Sequence, residues 1–321
     1  PWARETPLGG NMIKQFIKSI REEKDGFSFD RPWRLEEKSL GVIVPILRTS
    51  RQRRSYITLA EAKEIKIEDT GQIDHVYVKN DEEKPVLISR GEMFRGKAQE
   101  RAAVHDHIVM PGKGLRVAVR CIHQSRPIVA GAEMKYGGRA PYAVSYFTQH
   151  ETWRNVASYA SQAMPEPSIA REPVTADILN GSAIPHSDDL TATLDSISDA
   201  VKAAMKKIPP IENQVGAVFF HENAMLGMDL YDLSKSWDAV KQDVIEKEGA
   251  SFIKKDEGAD MFEFKPSRSK NLIGKYLSAT FEEKEIYNRE YRLVELRSDK
   301  LIGEVVEFKG RVIHLTFWKK G

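Results

Sequence analysis

One cysteine, Cys121, is all that 321 residues carry. No intrachain disulfide can form, and the fold has to rest on packing and hydrogen bonds. No apolar run approaches the roughly 20 residues of a membrane-spanning helix. The first apolar segment, Met12 to Ile20, is broken by Lys14, Gln15, Lys18 and Ser19, unlike a cleavable signal peptide. Charge of one sign is also missing: 49 Lys and Arg stand against 47 Asp and Glu, so nothing pulls the whole chain towards nucleic acid. There is no Walker loop, no GxGxxG after a strand, no HExxH, no CxxC and no GxSxG. With 41% apolar and 30% charged residues, the expectation is a soluble, cytoplasmic globular protein with no bound cofactor and no membrane partner.

What is present reads as α+β, with β-rich, antiparallel sheets (sandwich or barrel-like) and several packed helices. Residues 1–11, rich in Pro and Gly, read as a tail. Residues 12–150 read as an N-terminal β-rich domain, opened by a helix with Ile13, Phe16, Ile17 and Ile20 at helical spacing. Gly41–Leu47 follows as a buried strand whose Pro45 implies an edge or a bulge. Thr58 and Glu61 form a capping box for a short helix through Ile65. Strands are expected at Ile65–Glu68, His75–Lys79, Val86–Met93, Ala102–Met110 and Leu115–Ile122. Residues 151–210 read as helices around a Pro-rich loop (164–189), and 211–321 as a C-terminal α+β portion. There Val215–Phe220 and Met225–Asp229 form a hairpin, Leu233, Trp237, Val240 and Val244 a helical stripe. Strands follow at Tyr276–Phe281, Tyr287–Leu296, Leu301–Phe308 and Val312–Trp318.

The segment Gly91–Arg101 stands out. It sets Glu92, Arg95, Lys97, Gln99 and Arg101 around two glycines, directly behind the apolar run Pro85–Ile88. Left extended, Arg95, Lys97, Gln99 and Arg101 share one face, and only a bend at Gly91 or a bulge at Gly96 brings Glu92 alongside. An arginine and a carboxamide on one face can grip a carboxylate or phosphate. The bland alternative is that Glu92 pairs with an arginine and only fixes a bulge. His105-x-His107, with Asp106 between, has a spacing that metals use and His123 lies on the next strand, although alternating histidines on a solvated strand are common, and no metal site is assigned. Cys121 is either a nucleophile beside His123 or His105, or a small core residue. Asp229 is a candidate acid or a helix cap, and the Tyr136–Tyr142 loop carries Arg139.

Taken in order and spacing, several segments resemble the ARG-and-rhodanese-phosphatase-superfamily-associated protein domain family. They are Leu59–Ala62, Lys84–Leu87, Gly91-Glu92 with Gly96, Gln99 and Arg101, Cys121 with Gln124, Gln149 with Trp153, Gln214–Gly216, and Gly227 with Asp229. The chain departs from that pattern at Lys97, where a second glycine is expected, at His123, where a glutamate is, and at Pro127, where an aromatic is. The resemblance implies association with ADP-ribosyl-glycohydrolase-type and phosphatase-type proteins and transfers no activity.

Three functions follow as expectations. The first is a ligand- or partner-binding module presenting Glu92, Arg95, Gln99, Arg101 and Gln124 to an anionic, nucleotide-like or ADP-ribose-like molecule. The second is a hydrolase with Glu92 or Asp229 as general base and Arg101 stabilising negative charge. The third is an RNA- or ribosome-binding protein acting through Arg51, Arg53 and Arg54.

Overall fold

The structure, a computed structural model, describes residues 9–34, 41–96, 100–121, 127–140, 202–203, 205–206, 208, 210–221, 223–249 and 266–320. In chain order, α1 (Gly9–Arg21) precedes β1 (Phe27–Phe29), β2 (Gly41–Arg48) and β3 (Ile57–Thr58). Next come β4 (Ile65–Asp69), β5 (His75–Asn80), β6 (Val86–Ile88), β7 (Glu92–Gly96), β8 (Arg101–Ala103), β9 (His107–Val109), β10 (Gly114–Cys121) and β11 (Glu133–Arg139). The C-terminal part holds β12 (Gln214–His221), β13 (Ala224–Tyr231), α2 (Ser234–Gly249), α3 (Pro266–Leu277), β14 (Glu282–Asn288), β15 (Arg292–Arg297), β16 (Leu301–Phe308) and β17 (Arg311–Lys319).

The strands form an eight-stranded sheet in the order β1-β2-β12-β13-β17-β16-β15-β14, a closed six-stranded barrel β10-β5-β4-β11-β7-β8, and a small sheet β3-β6-β9. Every described pairing is antiparallel except β3 with β6. The expected β-rich α+β architecture is therefore what the chain adopts. The large sheet draws β1 and β2 from the N-terminal side and pairs β2 with β12, so it spans the boundary expected after residue 150.

The central strands of the large sheet are buried on both faces, and alternate residues join two different cores. One face of the large sheet (Val44, Val218, Met228, Leu230, Leu315 and Phe317) packs under α1 and α3 through Ile13, Ile17, Ile20, Ile273 and Leu277. The opposite face, with Ile43, Phe219, Tyr231, Ile302 and Trp318, meets Trp237 and Val240 of α2 and Leu87 and Ile108 of the small sheet. Val76, Val78, Phe94, Ala103, Val117, Val119 and Met134 belong to the barrel's own apolar cluster. Among the described residues no helix is long and apolar enough to cross a membrane.

Several local expectations are corrected. The first helix begins at Gly9, inside the segment read as a tail. The capping box exists, with Thr58 N and Oγ1 donating to Glu61 Oε2 at 3.0 and 2.9 Å, but it closes only a three-residue 3-10 turn, Leu59–Glu61. Val86–Met93 and Ala102–Met110 are each broken into two strands in different sheets, because apolar runs shared between two layers show no seam in sequence. Tyr276 lies in the last turn of a helix instead of opening a strand: Pro266 occupies the helix's first position, and Leu272, Ile273, Tyr276 and Leu277 turn one face to the sheet. Tyr287–Leu296 is a hairpin rather than one strand. The helix expected at 151–163, the loop at 164–189 and the start of the following helix lie outside the described residues.

Candidate functional site

The register of the large sheet sets one polar row across its interior. Asp229 lies opposite Thr316, Thr316 opposite Glu304, and Glu304 opposite Glu295. Directly opposed residues share a face. This row therefore sets three carboxylates on the side that meets the barrel and the small sheet, none more than 1% exposed. Neighbouring carboxylates in a dry interior repel and are costly to bury unless cations answer them.

The answering groups come from connections between the two smaller sheets, from barrel strand β11 and from β17 itself. Arg90 Nη1 donates to Glu304 Oε1 at 2.8 Å and stacks its guanidinium 4.3 Å over Trp318. His105 Nδ1 lies 2.6 Å from the same oxygen. Arg139, at the end of β11, donates from Nη1 to Asp229 Oδ2 at 2.7 Å and from Nη2 to the Arg90 carbonyl at 3.0 Å. His314 of β17 bridges two acids, with Nδ1 2.6 Å from Asp106 Oδ2 and Nε2 3.0 Å from Asp229 Oδ1. Asp106 also accepts the Arg90 backbone N–H at 2.6 Å.

Burial works against the His314 imidazolium, but the Asp106 and Asp229 carboxylates outweigh it and push the group up to about 10. Burial likewise opposes ionisation of Asp229, and Arg139 and His314 overcome it, holding the carboxyl below its ordinary range. Asp106 is held down in the same way, chiefly by His314.

Glu92 sits beside this junction. Gly91, at φ +78°, completes a turn in which Glu92 N donates to the Ser89 carbonyl at 3.0 Å. Such a φ at that turn position is what glycine tolerates. The bend carries the chain from β6 of the small sheet into β7 of the barrel, and Glu92 pairs with Arg139 across β7 and β11. Ser89 N donates to Glu92 Oε2 at 3.0 Å, while Oε1 is buried and has no hydrogen-bond partner among the described residues. Burial is the main cause that pushes the Glu92 carboxyl up to about 8, against the pull of Arg139. At neutral pH it is mostly protonated.

Arg101 belongs elsewhere. The Gly91–Arg101 run does not stay extended: β7 and β8 form a hairpin with Phe94 opposite Arg101, so Arg95 and Arg101 are not placed by simple alternation. The Arg101 guanidinium is fully buried, 3.1 Å from Asp69 Oδ2, and donates to the Ile73 carbonyl. Arg95 is half-buried, its side chain lying where a Cβ on Gly137 would fall. Gln99, Gln124, Lys97 and His123 lie outside the described residues. Cys121 pairs with Arg101 across β10 and β8.

Asp229 stands within β13 instead of ending it. His107 Nδ1 lies 3.2 Å from the Tyr291 hydroxyl, and burial pushes its imidazole down to about 4. Among the described residues no group of three His, Cys, Asp or Glu side chains is disposed to hold a metal.

The structure thus brings Glu92 and Asp229 to one junction and puts Arg101 in a separate ion pair. Sequence reading did not single out Arg90, Glu304 or His314, and it treated Arg139 as part of a loop. A signal was available: Glu295, Glu304 and His314 are ionisable residues flanked on both sides by apolar neighbours within strands, a placement that needs a buried partner.

A β-barrel joined to an antiparallel sheet through a buried ionic junction defines the class of protein. The particular family follows from its sequence profile: the ARG and Rhodanese-Phosphatase-superfamily-associated Protein domain matches residues 28–318, and the chain belongs to that family. The chain matches no curated protein and no solved structure.

Proposed function

We propose that this chain is a binding module for an anionic small molecule of nucleotide-like or ADP-ribose-like chemistry. The observation that carries the reading is a convergence of arginines at one end of the large sheet. Arg311, the first residue of β17 beside the β16–β17 turn, donates to Gln52 Oε1 at 2.9 Å and to the Arg53 carbonyl at 3.0 Å. These bonds draw the turn and the Arg48–Arg54 segment together. Arg51 and Arg53 are exposed and Arg48 is half-buried, whereas Arg54 is paired with Glu61. Guanidinium forks match phosphate and carboxylate oxygens. By contrast, Glu92 and Arg101 of the Gly91–Arg101 segment are held in the interior.

The commitments of the junction support binding over hydrolysis through Asp229 and Arg101. Both Asp229 oxygens are engaged, by Arg139 and His314, and Arg101 is engaged by Asp69. Calorimetric titration with ADP-ribose, AMP and pyrophosphate tests the reading, with saturable binding of at least one as the expected result. Silence with all three, beside RNA binding that weakens steeply with salt, would transfer the function to nucleic acid through Arg51 and Arg53.

One observation favours a second reading, an acid–base hydrolase using Glu92. Its buried, unpartnered Oε1 and a carboxyl pushed up to about 8 suit a proton-transfer group at neutral pH. Turnover of an ADP-ribosyl or phosphate ester that disappears in Glu92→Gln, with the fold intact, is the result this reading requires.

A further inference from the structure

The arginine end of the large sheet contains an open cleft of about 220 Å³ between α1, β1, the end of β2 and the β16–β17 turn. Its wall is mixed in character. Phe16 and Phe27 meet edge to face with ring centroids 5.4 Å apart, and the Arg48 guanidinium lies 4.6 Å over the Phe27 ring and 5.6 Å from that of Phe16. Arg311 and Val312 line the opposite side, and Gln15 lines the α1 side.

Arg48 is the unusual group. Among the described residues its buried Nε has no hydrogen-bond partner and Nη1 reaches only the Asp232 carbonyl, at 3.4 Å. Among the described residues it forms no carboxylate salt bridge, whereas Arg311 has Asp232 Oδ2 at 3.3 Å and Asp25 is engaged by Ser19. Burial lowers the Arg48 pKa, so the surroundings work against its charge. A half-buried guanidinium on an aromatic shelf, with donors left over, is a costly arrangement that an anion would relieve.

Resting on the binding-module reading above, we infer that this cleft is the binding site of that module and takes a monophosphate ester carrying a single ring. The phosphate meets Arg48 and Arg311, and the ring lies against the apolar wall of Phe16, Phe27 and Val312. Size sets the limit of one ring. The cleft is smaller than the roughly 300–1,000 Å³ of pockets that enclose drug-sized ligands, so a dinucleotide-sized molecule would enter by one end only.

The test is calorimetric titration of the whole chain with phenyl phosphate and with benzyl phosphate, repeated in Arg48→Gln and Gln15→Trp. The first variant removes the under-coordinated cation. The second fills the cleft from an exposed position on α1 and leaves the core untouched, so it serves even if Arg48→Gln folds poorly. Lys300→Gln, in the turn at the other end of β16, is the control. Affinity is expected to fall about tenfold or more in both variants, in line with loss of a hydrogen bond to a charged group or of the site itself. It should be unchanged in the control. Binding that persists in Arg48→Gln and Gln15→Trp would overturn the cleft as the site while leaving the binding-module reading standing. Silence with phenyl and benzyl phosphate, beside saturable binding of AMP, pyrophosphate or ADP-ribose that Gln15→Trp leaves unchanged, would overturn the cleft alone. Silence with every anion would overturn both.

Discussion

His314 Nδ1 and Asp106 Oδ2 lie 2.6 Å apart, and this contact ties the central strands of the large sheet to the connection between the barrel and the small sheet. Both side chains are fully buried. The imidazolium also holds Asp229, so one residue of β17 organises acids that come from separate parts of the fold.

Removing that bridge should be costly. His314→Gln leaves two buried carboxylates facing one another, and a loss of about 3–5 kcal/mol is expected for an interior charge deprived of its partner. Urea unfolding followed by tryptophan fluorescence measures it. A loss below about 1 kcal/mol would mean that the imidazolium does not bridge the two acids.

Stability should fall on the alkaline side. His314 is raised to about 10, so its contribution is fully present below its unfolded value near 6.5 and is lost as pH rises through about 10. Glu92 acts in the same sense: raised to about 8, it favours the folded state below its unfolded value and withdraws that favour through about 8. His107, lowered to about 4, has the opposite sign and removes stability as pH falls below the neutral range. Denaturant midpoints recorded from pH 5 to 10 should decline above neutrality, and His314→Gln should flatten the upper limb. An unchanged midpoint between pH 7 and 10 in the unaltered protein contradicts these assignments.

Glu92→Gln separates the neutral from the ionised carboxyl. The amide keeps an oxygen for the Ser89 N–H and cannot ionise. Stability equal to or above that of the unaltered chain is expected at pH 7, with a clear gain at pH 9. A variant destabilised equally at both values would show that Glu92 is ionised in the folded protein.

Gly91→Ala tests the bend that aims Glu92. At φ +78° an L side chain is strained, and a loss of about 1–2 kcal/mol is expected by thermal or urea unfolding. A neutral result would mean that the turn relaxes, and Glu92 should then also lose its elevated pKa.

The Arg101–Asp69 pair predicts non-additivity. Arg101→Met alone leaves Asp69 buried and unpaired, at a cost of about 3–5 kcal/mol, and adding Asp69→Leu should recover much of it. If the two losses simply add, the ion pair is not the interaction that holds Arg101.

Local chemistry was legible where it depends on neighbours in the chain. The Ile13–Ile20 helical face, the Thr58–Glu61 capping box, the β12–β13 hairpin and the glycine bend at 91 all follow from spacing or backbone sterics. The β-rich α+β class followed from alternation. Tyr276 was misread because a short apolar stretch fits either period, and only the packing of α3 on the sheet decides between them.

The sequence by itself determined the β-rich α+β class, many of the local elements, the family and the fact that Gly91–Arg101 is a special segment. Tertiary structure decided what its polar residues meet. Sheet register brought Asp229, Glu304 and Glu295 into one row, and the crossing of the barrel onto that row supplied Arg90, Arg139 and His105. It also separated Arg101 from Glu92 by folding the run into a hairpin. The physical reason is that pairing register and inter-sheet contact join residues far apart in the chain, 214 positions in the case of Arg90 and Glu304, and neither leaves a periodic trace in the chain.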